Sequence, residues 1–221
     1  MSRFAISDIH GCLNTFRFLV EEKVQLQRTD TLYLLGDYID RGPDSKGVLD
    51  YVLELREQGY TVVALCGNHE DMLLSARDNF HLYNFWLRNG GKTTLRSFGA
   101  ISPVQIPQKY WTFLEELDLY VELEDYLLVH AGFNFSARNP FAEREAMLWL
   151  RDFKVDKGLL GNRQIVHGHT PLPLNQITTA LDSRADVIDI DGGCVFTPEL
   201  GYLTALNLDT QHLYTVKNRE N

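Results

Sequence analysis

The sequence predicts an α/β fold with a parallel core, and two observations carry that reading. A short apolar run of strand character, a glycine-containing loop and a segment of helical spacing succeed one another three times in the first third of the chain. No low-complexity or linker segment interrupts the remaining two thirds, so the 221 residues read as one large domain, 1–221.

Phe4 to Ile6 is the first strand. Leu13, Phe16 and Val20 then recur at helical spacing, which predicts a helix from Leu13 to Gln25. Thr31 to Leu35 is the second strand. After it, Pro43 suits the first turn of a helix whose apolar stripe is Val48, Leu49, Val52, Leu53 and Leu55, and Gly59 ends it. Tyr60 to Leu65 is the third strand. From about residue 71 to 118 the pattern turns mostly helical, with Leu73, Leu74, Leu82, Phe85, Trp86 and Leu87 as core candidates. Gly90-Gly91 breaks this stretch, and Pro103 and Pro107 mark a loop. It reads as an insert beside the site. Strands return at Tyr120 to Leu123 and Tyr126 to Val129, with a tight turn at Glu124-Asp125. Further strands are expected at Gln164 to His167, Val187 to Ile190, Tyr202 to Asn207 and Leu213 to Lys217.

A formal charge of −9 sets the surface against a nucleic-acid backbone, so no nucleic-acid partner is expected. Cys12, Cys66 and Cys194 form no disulfide framework and no zinc signature, and small buried residues are expected there. No apolar run is long enough to span a membrane, and no leader pattern opens the chain. A cytoplasmic, monomeric enzyme with no membrane partner is the simplest expectation.

The chemistry sits in the loops. Ser7 to Gly11 reads S-D-I-H-G, Gly36 to Gly42 reads G-D-Y-I-D-R-G, and Gly67 to Glu70 reads G-N-H-E. Two later segments are H-A-G at His130 to Gly132 and H-G-H-T at His167 to Thr170. Five of seven histidines lie in these segments, each at a strand end. Singly, Asp8 would pass for a helix cap and each histidine for a hydrogen-bonded strand end. Together, oxygen and imidazole donors from several strand ends describe a two-metal hydrolase site. A phosphate ester needs an activated water, neutralised phosphoryl oxygens and a protonated leaving oxygen. Two close cations meet the first two needs and require a shared ligand. A carboxylate can bridge, which makes Asp37 the natural candidate. Asp8 and His10 would complete one site; Asn68, His130 and one histidine of H-G-H-T the other.

In this order, D-x-H-G, G-D-x-x-D-R-G, G-N-H-E, H-A-G and G-H-T resemble the phosphoprotein phosphatase family of metallophosphoesterases, in its compact bacterial and phage form. The resemblance covers Ser2 to about Thr170. It implies a calcineurin-like four-layer α/β/β/α sandwich of two mixed sheets, with metals at the strand C-terminal edge. It implies Asp8, His10 and Asp37 at the first metal, and Asp37, Asn68, His130 and His169 at the second. His169 is preferred to His167 because it stands in the family's G-H-x context. His69 matches a proton donor to the leaving group, and Asp40 the carboxylate that orients it and raises its pKa. Arg41 matches a phosphate-gripping arginine. Arg151, in Trp149-Leu150-Arg151-Asp152, resembles a second, unless it simply pairs with Asp152. Two divalent ions are implied, manganese first, with iron or zinc as alternatives.

The activity implied is hydrolysis of phosphoserine and phosphothreonine, or broader phosphoesters, by water activated between the cations. The substrate partner is then a phosphorylated protein or a small phosphoester. A symmetrical dinucleoside-tetraphosphate (Ap4A) hydrolase is the alternative, but such sisters carry D-x-Q-G and G-N-H-D where this chain has His10 and Glu70. A non-catalytic phosphate-binding module is disfavoured, because no ligand and no proton donor is missing. Pro171 stands where broader relatives place a last histidine ligand, which favours the phosphatase branch.

Overall fold

The computed structural model describes residues 1–220. Among them nine strands form two sheets. In chain order they are β1 (Arg3–Ile6), β2 (Thr31–Leu34), β3 (Thr61–Ala64), β4 (Tyr120–Glu122), β5 (Tyr126–Val129), β6 (Gln164–His167), β7 (Val187–Asp189), β8 (Tyr202–Asn207) and β9 (Leu213–Lys217). One sheet has the order β3-β2-β1-β8-β9, the other β4-β5-β6-β7. The first three strands are parallel, with Ile6 level with Leu34 and Leu34 level with Ala64. β8 runs antiparallel to β1, pairing Phe4 with Asn207, so each sheet is mixed.

Side-chain alternation along each strand separates the cores. Phe4, Ile6, Leu32 and Leu34 join a cluster with the helices. Ala5, Tyr33 and Leu35 point the other way, against Tyr126, Leu128, Val166 and Ile188 of the second sheet. Leu127, Val129 and Ile165 cover that sheet's outer face with Met147 and Leu160. Helix, sheet, sheet and helix are therefore the four layers expected. Each fully buried leucine or isoleucine contributes roughly 1.5–3 kcal/mol.

The helices refine several expectations. The segment after the first loop is helical as α1 (Leu13–Phe18) and widens into a π-type turn over Leu19–Val24, closed by left-handed Gln25. In α2 (Ser45–Glu57) the first turn does not hold Pro43; Asp44 is the cap, its carboxylate accepting the Gly47 N–H at 2.8 Å. The helical stretch before β4 holds α3 (Asn68–Ala76), α4 (Phe80–Trp86), α5 (Lys92–Ser97) and α6 (Gln108–Glu115). Trp86, Leu95, Tyr110 and Trp111 share the core of β1 and β2, which supports our proposal of an insert within one domain rather than a second domain. Leu73 and Trp86 are buried as expected. Leu82 and Phe85 are not: α4 lays one narrow face on the core and leaves them 41% and 48% exposed. No helix among the described residues is long and apolar enough to cross a membrane.

Candidate metal centre

The loops leaving β1, β2 and β3 meet those leaving β5 and β6 where the sheet edges come together. The first is zipped to the second, the N–H groups of His10 and Gly11 donating to the carbonyls of Asp37 and Tyr38 at 2.8 Å. Among the described residues nine non-glycine residues have positive φ, and six belong to the expected site: Asp8, His10, Asp37, Asp40, Arg41 and His169, at 46° to 73°. Each such backbone costs of order 1 kcal/mol or more and persists only where its surroundings enforce it. That concentration marks the loops as built for a purpose other than stability.

Asp37 lies at the centre. Its Oδ1 is 3.5 Å from His130 Nε2, while its Oδ2 is 3.5 Å from His10 Nε2 and 3.9 Å from His69 Nε2. One oxygen thus faces each of two buried groups, His10-Asp37-His69 and Asp37-His130-His169, whose donor atoms lie within 4.8 Å of one another. His10 Nδ1–H donates to the Ile39 carbonyl at 2.9 Å, and His130 Nδ1–H to that of Leu35 at 2.9 Å, assignments made from the carbonyl partners. Both Nε2 lone pairs then face inward. His130 Nε2 is 3.0 Å from Asn68 Oδ1 and 3.2 Å from His169 Nδ1, which is itself 3.0 Å from Asn68 Oδ1. With neutral rings the His130–Asn68 contact sets lone pair against lone pair, which a cation resolves. The oxygen and imidazole donors around Asp37 suit divalent ions, with Asn68, His130 and His169 on its Oδ1 side and His10 on its Oδ2 side.

Burial favours the neutral form of His10 and His169, the form a metal requires. It pushes His10 and His69 well below the ordinary range and His169 down to about 3, with neighbouring positive charge adding to it. Desolvation also raises Asp37, reinforced by Asp8.

Asp8 lies beside these groups rather than inside the tighter one. Its Oδ2 accepts the His169 N–H at 3.0 Å and the Ser7 hydroxyl. Gly168 is required here, since a methyl on it would overlap Ser7 Oγ and the Asp8 carboxylate. His167 ends β6 with Nδ1 at the Gly168 carbonyl, outside both groups. The three cysteines are buried and free.

Asp40 and His69 come from different loops and meet at 2.7 Å, Oδ2 to Nδ1. The Trp86 indole N–H donates to both Asp40 oxygens at 2.9 and 3.0 Å, and Thr94 Oγ1 donates to Oδ1 at 2.6 Å. The expected upward pull of Asp40 on His69 is overridden. Burial first, then His10 and Arg41, drive His69 down, and burial drives Asp40 up. Against that burial, the Trp86 N–H and the Thr94 hydroxyl favour the ionised form of Asp40.

Three residues with evident work here were not identified from sequence: Glu70, Trp86 and Thr94. Trp86 read as a core candidate or as lining an approach to the site, and its indole N–H was the one signal that a polar partner must exist. Glu70 read as part of a motif. Its carboxyl accepts the N–H groups of Asp37 and Gly67 on Oε2 (2.8 and 3.0 Å) and of Tyr38 and Ile39 on Oε1 (2.9 and 3.3 Å). It holds the second loop in shape from inside. Burial and Asp37 push it up to about 8, against those N–H groups, which favour the ionised form. Glu70→Gln replaces one acceptor oxygen by a donor facing N–H groups. It should destabilise the fold by about 2–3 kcal/mol, lowering Tm by roughly 4–12 °C. Thermal unfolding checks this, and an unchanged Tm would remove the loop-holding role.

Arg41 Nη1 lies 2.5 Å from His10 Nε2, and its guanidinium sits 5.3 Å from the Phe196 ring. Arg151 is exposed but near enough to His169 to help push it down.

The calcineurin-like phosphoesterase profile matches residues 1–199. A serine/threonine-protein phosphatase 1 from Salmonella typhimurium is 31% identical over 207 residues, covering 89% of this chain and 88% of that protein. A symmetrical bis(5'-nucleosyl)-tetraphosphatase from Buchnera aphidicola is 36% identical over 107 residues, covering 40% of this chain and 38% of its own length. A protein serine/threonine phosphatase structure from Saccharomyces cerevisiae superposes with TM-score 0.68 at 15% identity, covering all of this chain and 81% of that one, a likeness of fold alone. A match over most of the chain, joined to two buried donor groups that share one carboxylate, means that the chain belongs to the calcineurin-like phosphoesterase family.

Proposed function

We propose that this protein is a metal-dependent phosphomonoesterase acting on phosphoserine and phosphothreonine. The observation that carries the reading is Asp37, with one oxygen toward each donor group and the His69-Asp40 pair and Arg41 beside it. In this reading Asp8, His10 and Asp37 hold one divalent ion, manganese first, and Asp37, Asn68, His130 and His169 hold the second. When bound, the ions supply charge neutralisation for the phosphoryl oxygens and a lowered pKa for the attacking water.

The chain's own residues do the rest. Arg41, with Arg151 at the rim, offers paired donors to the phosphoryl oxygens. His69 gives a proton to the leaving oxygen from Nε2, while Asp40 keeps Nδ1 fixed. An arriving phosphate dianion adds negative charge beside His69, which offsets part of its desolvation and returns it toward the acid form. Trp86 and Thr94 hold Asp40 and so hold the donor's direction.

The second reading, a symmetrical Ap4A hydrolase, rests on the 36% identity with the Buchnera enzyme over 107 residues, 40% of this chain. His10 and Glu70 count against it. The deciding experiment is chelation and readdition of manganese, with p-nitrophenyl phosphate, a phosphothreonine peptide and Ap4A side by side. Manganese-dependent phosphate release from the peptide is the expected result. Faster release of ADP from Ap4A would reverse the order, and silence on all three would sink both readings.

A further inference from the structure

A cleft of about 410 Å³ lies away from the candidate metal centre, at the outer ends of two helices that start in its loops. α1 begins just past the loop of Asp8 and His10, and α2 just past that of Asp40 and Arg41. The cleft opens where the π-type turn after α1 passes the last two turns of α2. Its volume is that of a small-molecule site. Val20, Leu26 and Leu55, all buried, give it an apolar floor, and Glu21 and Glu54 stand on its two walls.

One group in this cleft does nothing for the fold. Tyr51 is 3% exposed, and its hydroxyl is sealed from water without a hydrogen-bond partner. The ring itself is well held, edge-on to Phe16 with centres 5.3 Å apart and 4.2 Å beneath the Arg17 guanidinium. Burial first, then Glu21, push the hydroxyl up, which keeps it protonated and sets it on the Glu21 side of the cleft. Burying a hydroxyl unpaired is costly, and a phenylalanine would fill the same space without that cost. The hydroxyl is explained if something enters the cleft and pairs with it.

The charges say what that is. Arg17 bridges the walls, 3.3 Å from Glu21 Oε1 and 3.0 Å from Glu54 Oε2, and the Gln58 amide donates to Glu54 Oε1 at 2.9 Å. Two carboxylates against one guanidinium leave a net negative charge on the lining, which repels an anion. A bare divalent ion requires close-packed oxygens and gains nothing from an apolar floor. A protonated amine on an aliphatic stem meets both features. Its N–H groups donate to the Glu21 carboxylate and to the Tyr51 oxygen, while the stem covers Val20, Leu26 and Leu55.

We propose that this cleft binds a small aliphatic amine cation, of the diamine or polyamine class, held by Tyr51 and Glu21. The site is separate from the candidate metal centre and stands whatever ester that centre hydrolyses.

The test is titration calorimetry of the full-length, manganese-loaded protein with spermidine, joined to thermal unfolding. One site per chain is expected. Tyr51→Phe should weaken binding about three- to tenfold, the range of one lost hydrogen bond, and Glu21→Gln about ten- to a hundredfold, that of a charged one. Without spermidine, Tyr51→Phe should unfold at the same temperature as the unchanged protein or higher, because no hydrogen bond is lost. With spermidine, Tm should rise more for the unchanged protein. Absence of binding would overturn the site. So would equal affinity in Tyr51→Phe, or several sites per chain that vanish together in added salt, the mark of diffuse attraction to an acidic surface. A lower Tm in ligand-free Tyr51→Phe would show that the hydroxyl already has a partner in the fold, and would overturn its assignment to a ligand.

Discussion

Asp37→Asn is expected to abolish turnover, by at least about a thousandfold, and to release bound metal at the same time. The amide keeps the size of the side chain but loses the charge and one acceptor oxygen. Asp37 faces His10 with one oxygen and His130 with the other, both at 3.5 Å, so a single substitution affects both donor groups. The several kcal/mol that a cation pair contributes to phosphoryl transfer would go with it. Elemental analysis after buffer exchange, alongside kinetics, checks both halves. Retention of two ions per chain would refute the shared-ligand role, whatever happened to the rate. Folding should survive, because the loop is held from beneath by Glu70 and by the backbone zip to His10 and Gly11.

The second large effect concerns the leaving group. His69→Asn should slow a phosphothreonine peptide by roughly a hundred- to ten-thousandfold, the span typical of removing a general acid. It should slow p-nitrophenyl phosphate far less, because p-nitrophenolate leaves without a proton. The motivating geometry is the 2.7 Å contact of His69 Nδ1 with Asp40, which turns Nε2 toward Asp37. An equal loss on both esters would remove the proton-donor role and leave His69 as a structural or metal-linked residue. Asp40→Asn should show the same pattern more weakly, since Trp86 and Thr94 would still hold an amide in place.

Most of the architecture was legible because it rests on short apolar runs closed by glycine loops. All nine strands of the described residues lie where apolar runs and turn signals put them, with ends shifted by a residue at Arg3, Leu35, Tyr60, Leu65, Leu123 and Ile190. What periodicity could not see was local. It does not separate an α-helix from the wider turn over Leu19–Val24, and it counted Leu82 and Phe85 as core because apolar spacing does not say how wide a face the core offers α4. In the site, the donor atoms carry sequence signatures because metals demand particular residue types. Their supports do not: Glu70, Trp86 and Thr94 act through hydrogen bonds that depend on which loops meet. The left-handed backbone at Asp8 and His10 is likewise announced by no side-chain identity.

The pairing of β1 with β8 has a bearing on how the chain is made. Phe4 takes its partner from Asn207, and Thr15, just past the first loop, has its N–H and hydroxyl held by Glu220 at 2.9 Å. The loop that presents Asp8 and His10 is synthesised long before the residues that fasten it. During synthesis β1 can pair only with β2, and the sheet stays open on its other side until residues past 200 emerge. Pairings across such sequence distances close slowly and leave apolar edges exposed meanwhile. A nascent chain stalled before β8 should therefore leave the amides of residues 3 to 6 open to hydrogen exchange on the β8 side, and completion of the candidate site's first loop waits on synthesis of the residues that follow position 200.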